Sequence, residues 1–186
     1  MARADGRLTA DLNPQDHGPQ DACGVIGIYA PGEEVSKLTY FGMYALQHRG
    51  QESAGMAVSD GRHMMVFKDM GLVSQVFDEA TLNSLQGHMA VGHTRYSTTG
   101  ASIWDNAQPT FRSRQGGDGL ALAHNGNLTN TGALEALIAE RAPDTEVPHK
   151  DRMDSSSDTS LVTALMTTYD GTLEEVAAQV LPHLQG

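Results

Sequence analysis

The chain carries a single cysteine, Cys23, at the leading edge of a short apolar run, Gly24-Val25-Ile26-Gly27-Ile28-Tyr29-Ala30, behind a polar leader of 22 residues. A cysteine that serves only packing usually sits inside an apolar segment, where it behaves as a small hydrophobe. One at the edge of a strand is also a candidate nucleophile. A thiol titrates near ~8.5 and is only a few per cent thiolate at neutral pH, so it needs a base close by, and few candidates lie nearby in sequence. An α-amine, with a pKa of roughly 7.7–8.0, is neutral often enough to take that proton. Removing residues 1–22 would make Cys23 nucleophile and base at once.

Amide hydrolysis by a thiolate passes through a tetrahedral oxyanion, and each donor aimed at it is worth roughly 3–4 kcal/mol. Asn125-Gly126 offers a side-chain amide and a backbone N–H that no Cβ screens. The same dipeptide after a strand also reads as an ordinary turn. Arg95 has the planar fork that binds a carboxylate bidentately, and Asp158 is an anion suited to an ammonium group. Taken alone, the two read equally as a surface arginine and a helix-capping aspartate. The eight histidines invite a metal site or a Cys–His dyad. None are spaced as HxH or HExxH, and His48, His93 and His124 stand beside turns where a satisfied structural imidazole is the simpler reading. Trp104 and Tyr96 suit either a substrate loop or packing.

These residues must be positioned by a modest fold. A chain of 186 residues can bury one respectable core and fits one domain. Twelve Lys+Arg against 23 Asp+Glu give a net charge of -11, which opposes attraction to nucleic-acid phosphates or anionic membranes. No run approaches the ~20 apolar residues of a membrane span, and the leader lacks a secretory apolar core. A lone thiol admits no internal disulfide and suits the cytoplasm.

The apolar run from Gly24 to Ala30 predicts a buried strand stopped by Pro31-Gly32. Leu38, Phe41, Ala45 and Leu46 recur near helical spacing and predict a helix over 34–48. Apolar runs over 53–59 and 63–68, separated by Asp60-Gly61, predict an antiparallel hairpin. A short helix is expected over 78–85 and strands over 89–93 and 120–124, the latter entered through Gly116-Gly117-Asp118-Gly119. That glycine cluster lacks the Lys-Ser/Thr of a phosphate loop and precedes a strand, so it reads as a hairpin turn. Leu134, Leu137 and Ile138 mark a helix ending near Arg141. Ser155-Ser156-Ser157-Asp158 caps another running to about Thr168, and Thr172 opens a last one after Gly171. Antiparallel strands with helices around them argue an α+β fold.

Four segments resemble, in the same order, the glutaminase domain of the amidophosphoribosyltransferase family, the class II glutamine amidotransferases that open purine synthesis. They are Cys23-Gly24-Val25-Ile26-Gly27, Leu46-Gln47-His48-Arg49-Gly50-Gln51-Glu52-Ser53-Ala54-Gly55, Gly92-His93-Thr94-Arg95-Tyr96-Ser97-Thr98-Thr99-Gly100 and His124-Asn125-Gly126-Asn127-Leu128-Thr129-Asn130. The resemblance runs from about residue 21 to about residue 170. It implies an N-terminal-nucleophile hydrolase sandwich of four layers, two mainly antiparallel sheets between helical layers. It also implies that Cys23 becomes the first residue after autocatalytic loss of a propeptide ending at Asp21-Ala22. With the leader retained, the α-amine is absent and the chain should be nearly inert as an amidase.

Carried over residue by residue, the resemblance makes Asn125 and Gly126 the oxyanion hole. Arg95 and Thr98 become contacts of the glutamine carboxylate, Asp158 the ammonium ligand, and Arg49 an arginine near the nucleophile. Relatives with the same N-terminal cysteine make glucosamine phosphate, glutamate or asparagine. The Gln47-His48-Arg49-Gly50-Gln51 string, Tyr96 after Arg95, and Asn127-Leu128 resemble the amidophosphoribosyl type instead. The expected organisation is a leader over 1–22 and a glutaminase domain over 23–186, with the family's phosphoribosyltransferase domain outside this chain. Glutamine and that domain are the implied partners, in a homo-oligomer when complete. No cofactor is expected in this chain, while magnesium and, in part of the family, an iron–sulfur cluster belong to the complete protein. The competing expectations are an unprocessed, noncatalytic glutamine-binding or interaction module using Arg95 and Asp158, and a glutaminase domain of another class II amidotransferase.

Overall fold

The computed structural model describes residues 23–96, 103–114, 117–144 and 157–186. Strand β1 (Gly24–Tyr29) is followed by helix α1 (Val35–Ala45), a 3-10 turn (Gln47–Arg49), and the hairpin of β2 (Ser53–Ser59) and β3 (Met64–Met70). Two short helices, α2 (Val73–Val76) and α3 (Glu79–Ser84), lead to β4 (Met89–Arg95). A 3-10 turn (Trp104–Asn106) precedes β5 (Thr110–Ser113) and β6 (Gly119–Leu122), and the chain closes with α4 (Thr131–Arg141), α5 (Asp158–Met166) and α6 (Leu173–Val180).

The strands form two antiparallel sheets, one in the order β1-β4-β2-β3 and one pairing β5 with β6. Alternation along the strands splits the first sheet into two faces. Ala54, Met56, Val58 and Ala90 turn toward α1, α2 and α3 and share a core with Val35, Met43, Val73 and Leu82. A second core joins Leu120 of β6 to Leu134, Ile138, Leu161, Leu165, Val176 and Val180 of α4, α5 and α6. Each large aliphatic side chain buried this way contributes about 1.5–3 kcal/mol. The opposite faces of the two sheets meet: Gly55 lies against the Gln108 carbonyl, and Lys68 Nζ donates to the Ala107 carbonyl. The order is therefore helices, sheet, sheet, helices.

The hairpin expected at Asp60-Gly61 is present, with Gly61 at φ +87° and Asp60 Oδ1 accepting from the N–H groups of Arg62 and His63. Helix starts are capped where the sequence opens them: Ser157 accepts from Ser160 N–H and Thr172 from Glu175 N–H, and Asp78, at the head of the short helix expected over 78–85, accepts from Thr81 N–H. One helix faces the other way from its apolar spacing. Leu38 and Phe41 of α1 are 42% and 65% exposed, whereas Val35, Ser36, Thr39 and Met43 are buried. The sheet takes part in this: a Cβ at Gly92 would stand 2.7 Å from both Met43 Sδ and Thr39 Cγ2, so α1 lies close against β4 along its Val35, Thr39 and Met43 face. Strand β5 and helix α2, each four residues long, were not expected from the sequence.

Candidate active site

Strand register gathers the chemistry at one end of the larger sheet. Because β1 runs antiparallel to β4 with Gly24 opposite Thr94, Cys23 falls beside Arg95 and Tyr96. Because Ser53 pairs with Arg95, the loop between α1 and β2 ends at the same place. Sγ of Cys23, half-buried, donates to the Tyr96 carbonyl at 3.3 Å and accepts from Tyr96 N–H at 3.4 Å, which fixes the direction of the sulfur. The Cys23 carbonyl accepts from Arg49 Nε at 3.3 Å and from Asn125 Nδ2 at 2.7 Å. Cys23, Arg49 and Asn125 thus come together from three separate stretches of chain.

Arg49 is held by its own loop. Gln47 Nε2 donates to the Gly50 carbonyl and Gln47 Oε1 accepts from Val73 N–H, both at 2.5 Å. Gly50 is fully packed: a Cβ there would stand 2.5 Å from the Thr94 carbonyl carbon and 2.7 Å from Arg95 N. Only glycine lets the loop lie this close to the end of β4.

Arg95 is not a surface residue. It is 5% exposed and faces Glu52 at 3.6 Å. Glu52 is a partner that the sequence did not reveal; only the β2–β4 register brings it there. Asp158 is not the cap of α5, since Ser157 holds that position. Its carboxylate accepts from Leu128 N–H and Thr159 N–H, each at 2.8 Å, and so ties the start of α5 to the loop after Asn125-Gly126. Burial acts to raise the Asp158 pKa, but the His124 ring and those two N–H groups outweigh it and hold the carboxyl below the usual 3.8. Thr98 lies outside the described residues.

Two histidines depart from the satisfied imidazoles expected. His124 Nδ1 lies 3.9 Å from Asp158 Oδ1, an electrostatic neighbour beyond hydrogen-bond distance, and is buried with no hydrogen bond among the described residues. His93 lies within β4, fully buried, and both its ring nitrogens are without a hydrogen bond among the described residues. Burial pushes its pKa down to about 4, so the ring is neutral at physiological pH. Trp104 donates Nε1–H to the Lys68 carbonyl, and the Lys68 ammonium lies over its ring. Among the described residues no three His, Cys, Asp or Glu side chains converge as a metal site.

A sulfur of fixed direction and a side-chain amide on the carbonyl of the same cysteine are groups that thiolate attack on an amide would use. Known proteins point the same way. The amidophosphoribosyltransferase of Mycobacterium tuberculosis (strain ATCC 25618 / H37Rv) is 52% identical over 188 aligned residues, which cover 96% of this chain and 34% of the relative. That of Synechocystis sp. is 63% identical over 123 residues, covering 66% of this chain and 25% of the relative. The chain spans about a third of the length of the curated relatives it matches first. Among solved structures, glutamine phosphoribosylpyrophosphate amidotransferase from B. subtilis, complexed with ADP and GMP, superposes with a TM-score of 0.71 at 35% identity, over 87% of this chain and 33% of that one. A second structure, described as the allosteric regulatory enzyme of purine biosynthesis, gives 0.73 at 36% identity, over 87% and 33%. No protein-family model matches the chain.

Proposed function

The chain belongs to the amidophosphoribosyltransferase family, and from that premise we propose that it is the glutaminase part of such an enzyme, hydrolysing glutamine through a Cys23 thioester. The observation that carries this reading is the convergence of Arg49 and Asn125 on the Cys23 carbonyl while Tyr96 fixes the sulfur. The Asn125 amide has two N–H groups, and one bond to Cys23 leaves the second for an oxyanion.

In this mechanism the α-amine of Cys23, exposed by loss of residues 1–22, takes the thiol proton. The thiolate adds to the side-chain carbonyl of glutamine, and the oxyanion is met by Asn125 Nδ2–H and Gly126 N–H. The C–N bond breaks as the protonated amine returns its proton to the departing nitrogen, releasing ammonia and leaving a thioester. Water, deprotonated by the same amine, then frees glutamate and restores the thiol. Arg95, with Thr98, binds the substrate carboxylate, and Asp158 binds its ammonium. The ammonia is used by a phosphoribosyltransferase domain to form 5-phosphoribosylamine, in a cytoplasmic homo-oligomer.

The test is a glutaminase assay on the chain beginning at Cys23, beside its Cys23→Ala variant. Turnover confined to the unsubstituted protein supports the reading. Glutamine binding without turnover in both would favour the noncatalytic module, and retained turnover in Cys23→Ala would reject the thioester.

A further inference from the structure

Asn130 stands where a helix cap would stand and does something else. It occupies the N-cap position of α4, where asparagine usually offers its side-chain oxygen to the free N–H groups of the first turn, yet its side chain caps nothing. Oδ1 accepts instead from Gln185 N–H at 3.1 Å, and Nδ2 donates to the His183 carbonyl at 2.8 Å. Thr129 adds two more links, its N–H and its hydroxyl donating to the Gln185 carbonyl at 2.8 and 3.1 Å. Gly186 continues against the Asn127 carbonyl.

We propose that Asn130 is a positioning residue for the glutamine reaction: by fastening the loop over 124–130 to the turn over 183–185, it holds Asn125 and Gly126 level with Cys23. This rests on the reading of Asn125 and Gly126 as oxyanion donors. Once β6 ends, the loop has no strand partner, and Asn125, Gly126 and Asn127 are exposed. Before the donors the backbone is anchored by His124 N–H on Gln108 Oε1 at 2.7 Å. After them it is anchored by Leu128 N–H on Asp158, and then by Thr129 and Asn130 on Gln185 and His183. The 183–185 turn is a firm post, because α6 just before it buries Val176 and Val180 in the second core. Loosening one end of so short a span lets the donors drift, and oxyanion stabilisation is steep in donor position.

The substitution Asn130→Asp separates clamp from cap. Aspartate caps a helix as well as asparagine and keeps an acceptor for Gln185 N–H, but has no N–H for the His183 carbonyl. The clamp predicts kcat for glutamine lower by about tenfold with KM within about twofold, the split expected when transition-state contacts alone are lost. It also predicts hydrogen exchange at the Leu128 and Thr129 amides faster by about tenfold, with the reaction of Cys23 toward a small uncharged thiol reagent unchanged. Wild-type kcat and exchange in this variant would return Asn130 to an ordinary helix start. Should Asn130→Asp fail to fold, Thr129→Val removes only the hydroxyl link; a twofold to threefold loss of kcat (roughly) with faster Leu128 exchange supports the clamp, and no change in either overturns it. If the unsubstituted protein has no glutaminase activity, the functional reading fails, while exchange at Leu128 still decides the clamp.

Discussion

Asn125 reaches across 102 residues of sequence to donate its side-chain amide to the backbone carbonyl of Cys23 at 2.7 Å. The contact joins the end of β6 to the start of β1, and so ties the two sheets together at the residue proposed to do the chemistry. It also sets the sharpest expectation for mutagenesis. Asn125→Ala should lower kcat for glutamine by about 10²–10³ with little change in KM, because the donor acts mainly in the transition state. Steady-state kinetics check this, and a normal kcat would remove Asn125 from the oxyanion hole.

Arg95→Lys keeps a positive charge beside Glu52 but loses the fork, and Asp158→Asn keeps an acceptor for Leu128 N–H but loses the charge. Each should reduce kcat/KM for glutamine at least ~30-fold, as expected when one member of a desolvated charge pair is disabled. The intrinsic reaction of Cys23 with a small uncharged thiol reagent should be unaffected. Wild-type kcat/KM in Asp158→Asn would leave Asp158 with its structural bonds alone.

Gly50→Ala would drive a Cβ to 2.5 Å from the Thr94 carbonyl carbon and oxygen, against backbone that cannot step aside cheaply. A loss of about 1–3 kcal/mol is expected in urea unfolding. Since the displaced neighbours are Arg49 and Arg95, kcat/KM should fall as well. A variant as stable and active as the parent would show that the loop has room.

His93 makes acid stability specific to one residue. Its pKa is about 4 in the fold against 6.5 for the ordinary group. Between these values the unfolded state binds more protons, so stability must fall as pH falls from about 6.5 to about 4. Across that window the loss is about 3 kcal/mol, at roughly 1.4 kcal/mol per unit. Asp158, with its pKa below 3.8, acts in the same direction but only at lower pH, where protonation removes the form that the fold favours. Urea unfolding from pH 7 to pH 4.5 should therefore show a steep decline that His93→Asn flattens. Parallel declines in both proteins would place the proton uptake elsewhere.

Local signals carried much of this structure. Asp60-Gly61, Asp78, Ser157 and Thr172 each act through a hydrogen bond made within three residues, which is why their turn and caps are readable from the sequence. The face of α1 was not readable, because Leu38 and Phe41 carry the apolar periodicity while the helix lies against the sheet through Val35, Thr39 and Met43, where Gly92 leaves room. At the site, residue types offered Cys23, Arg95, Asn125 and Asp158 as candidates, and the family resemblance added Arg49. The contacts of Glu52 and Gln47 went unseen because they depend on strand register and loop closure, to which residue type gives no clue. His93 and His124 were misread as satisfied imidazoles for the same reason: the strand expected over 89–93 does not say what its His93 side chain meets.

The central claim is that Cys23, with its own α-amine free, is the nucleophile. It is tested most directly by intact-mass measurement and peptide mapping of the active protein after treatment with a glutamine analogue bearing an electrophilic side chain. The account predicts a chain beginning at Cys23 that takes up one equivalent, on Cys23, with activity lost in step. An active, homogeneous protein still carrying residues 1–22, or inactivation with the label on another residue, would contradict it.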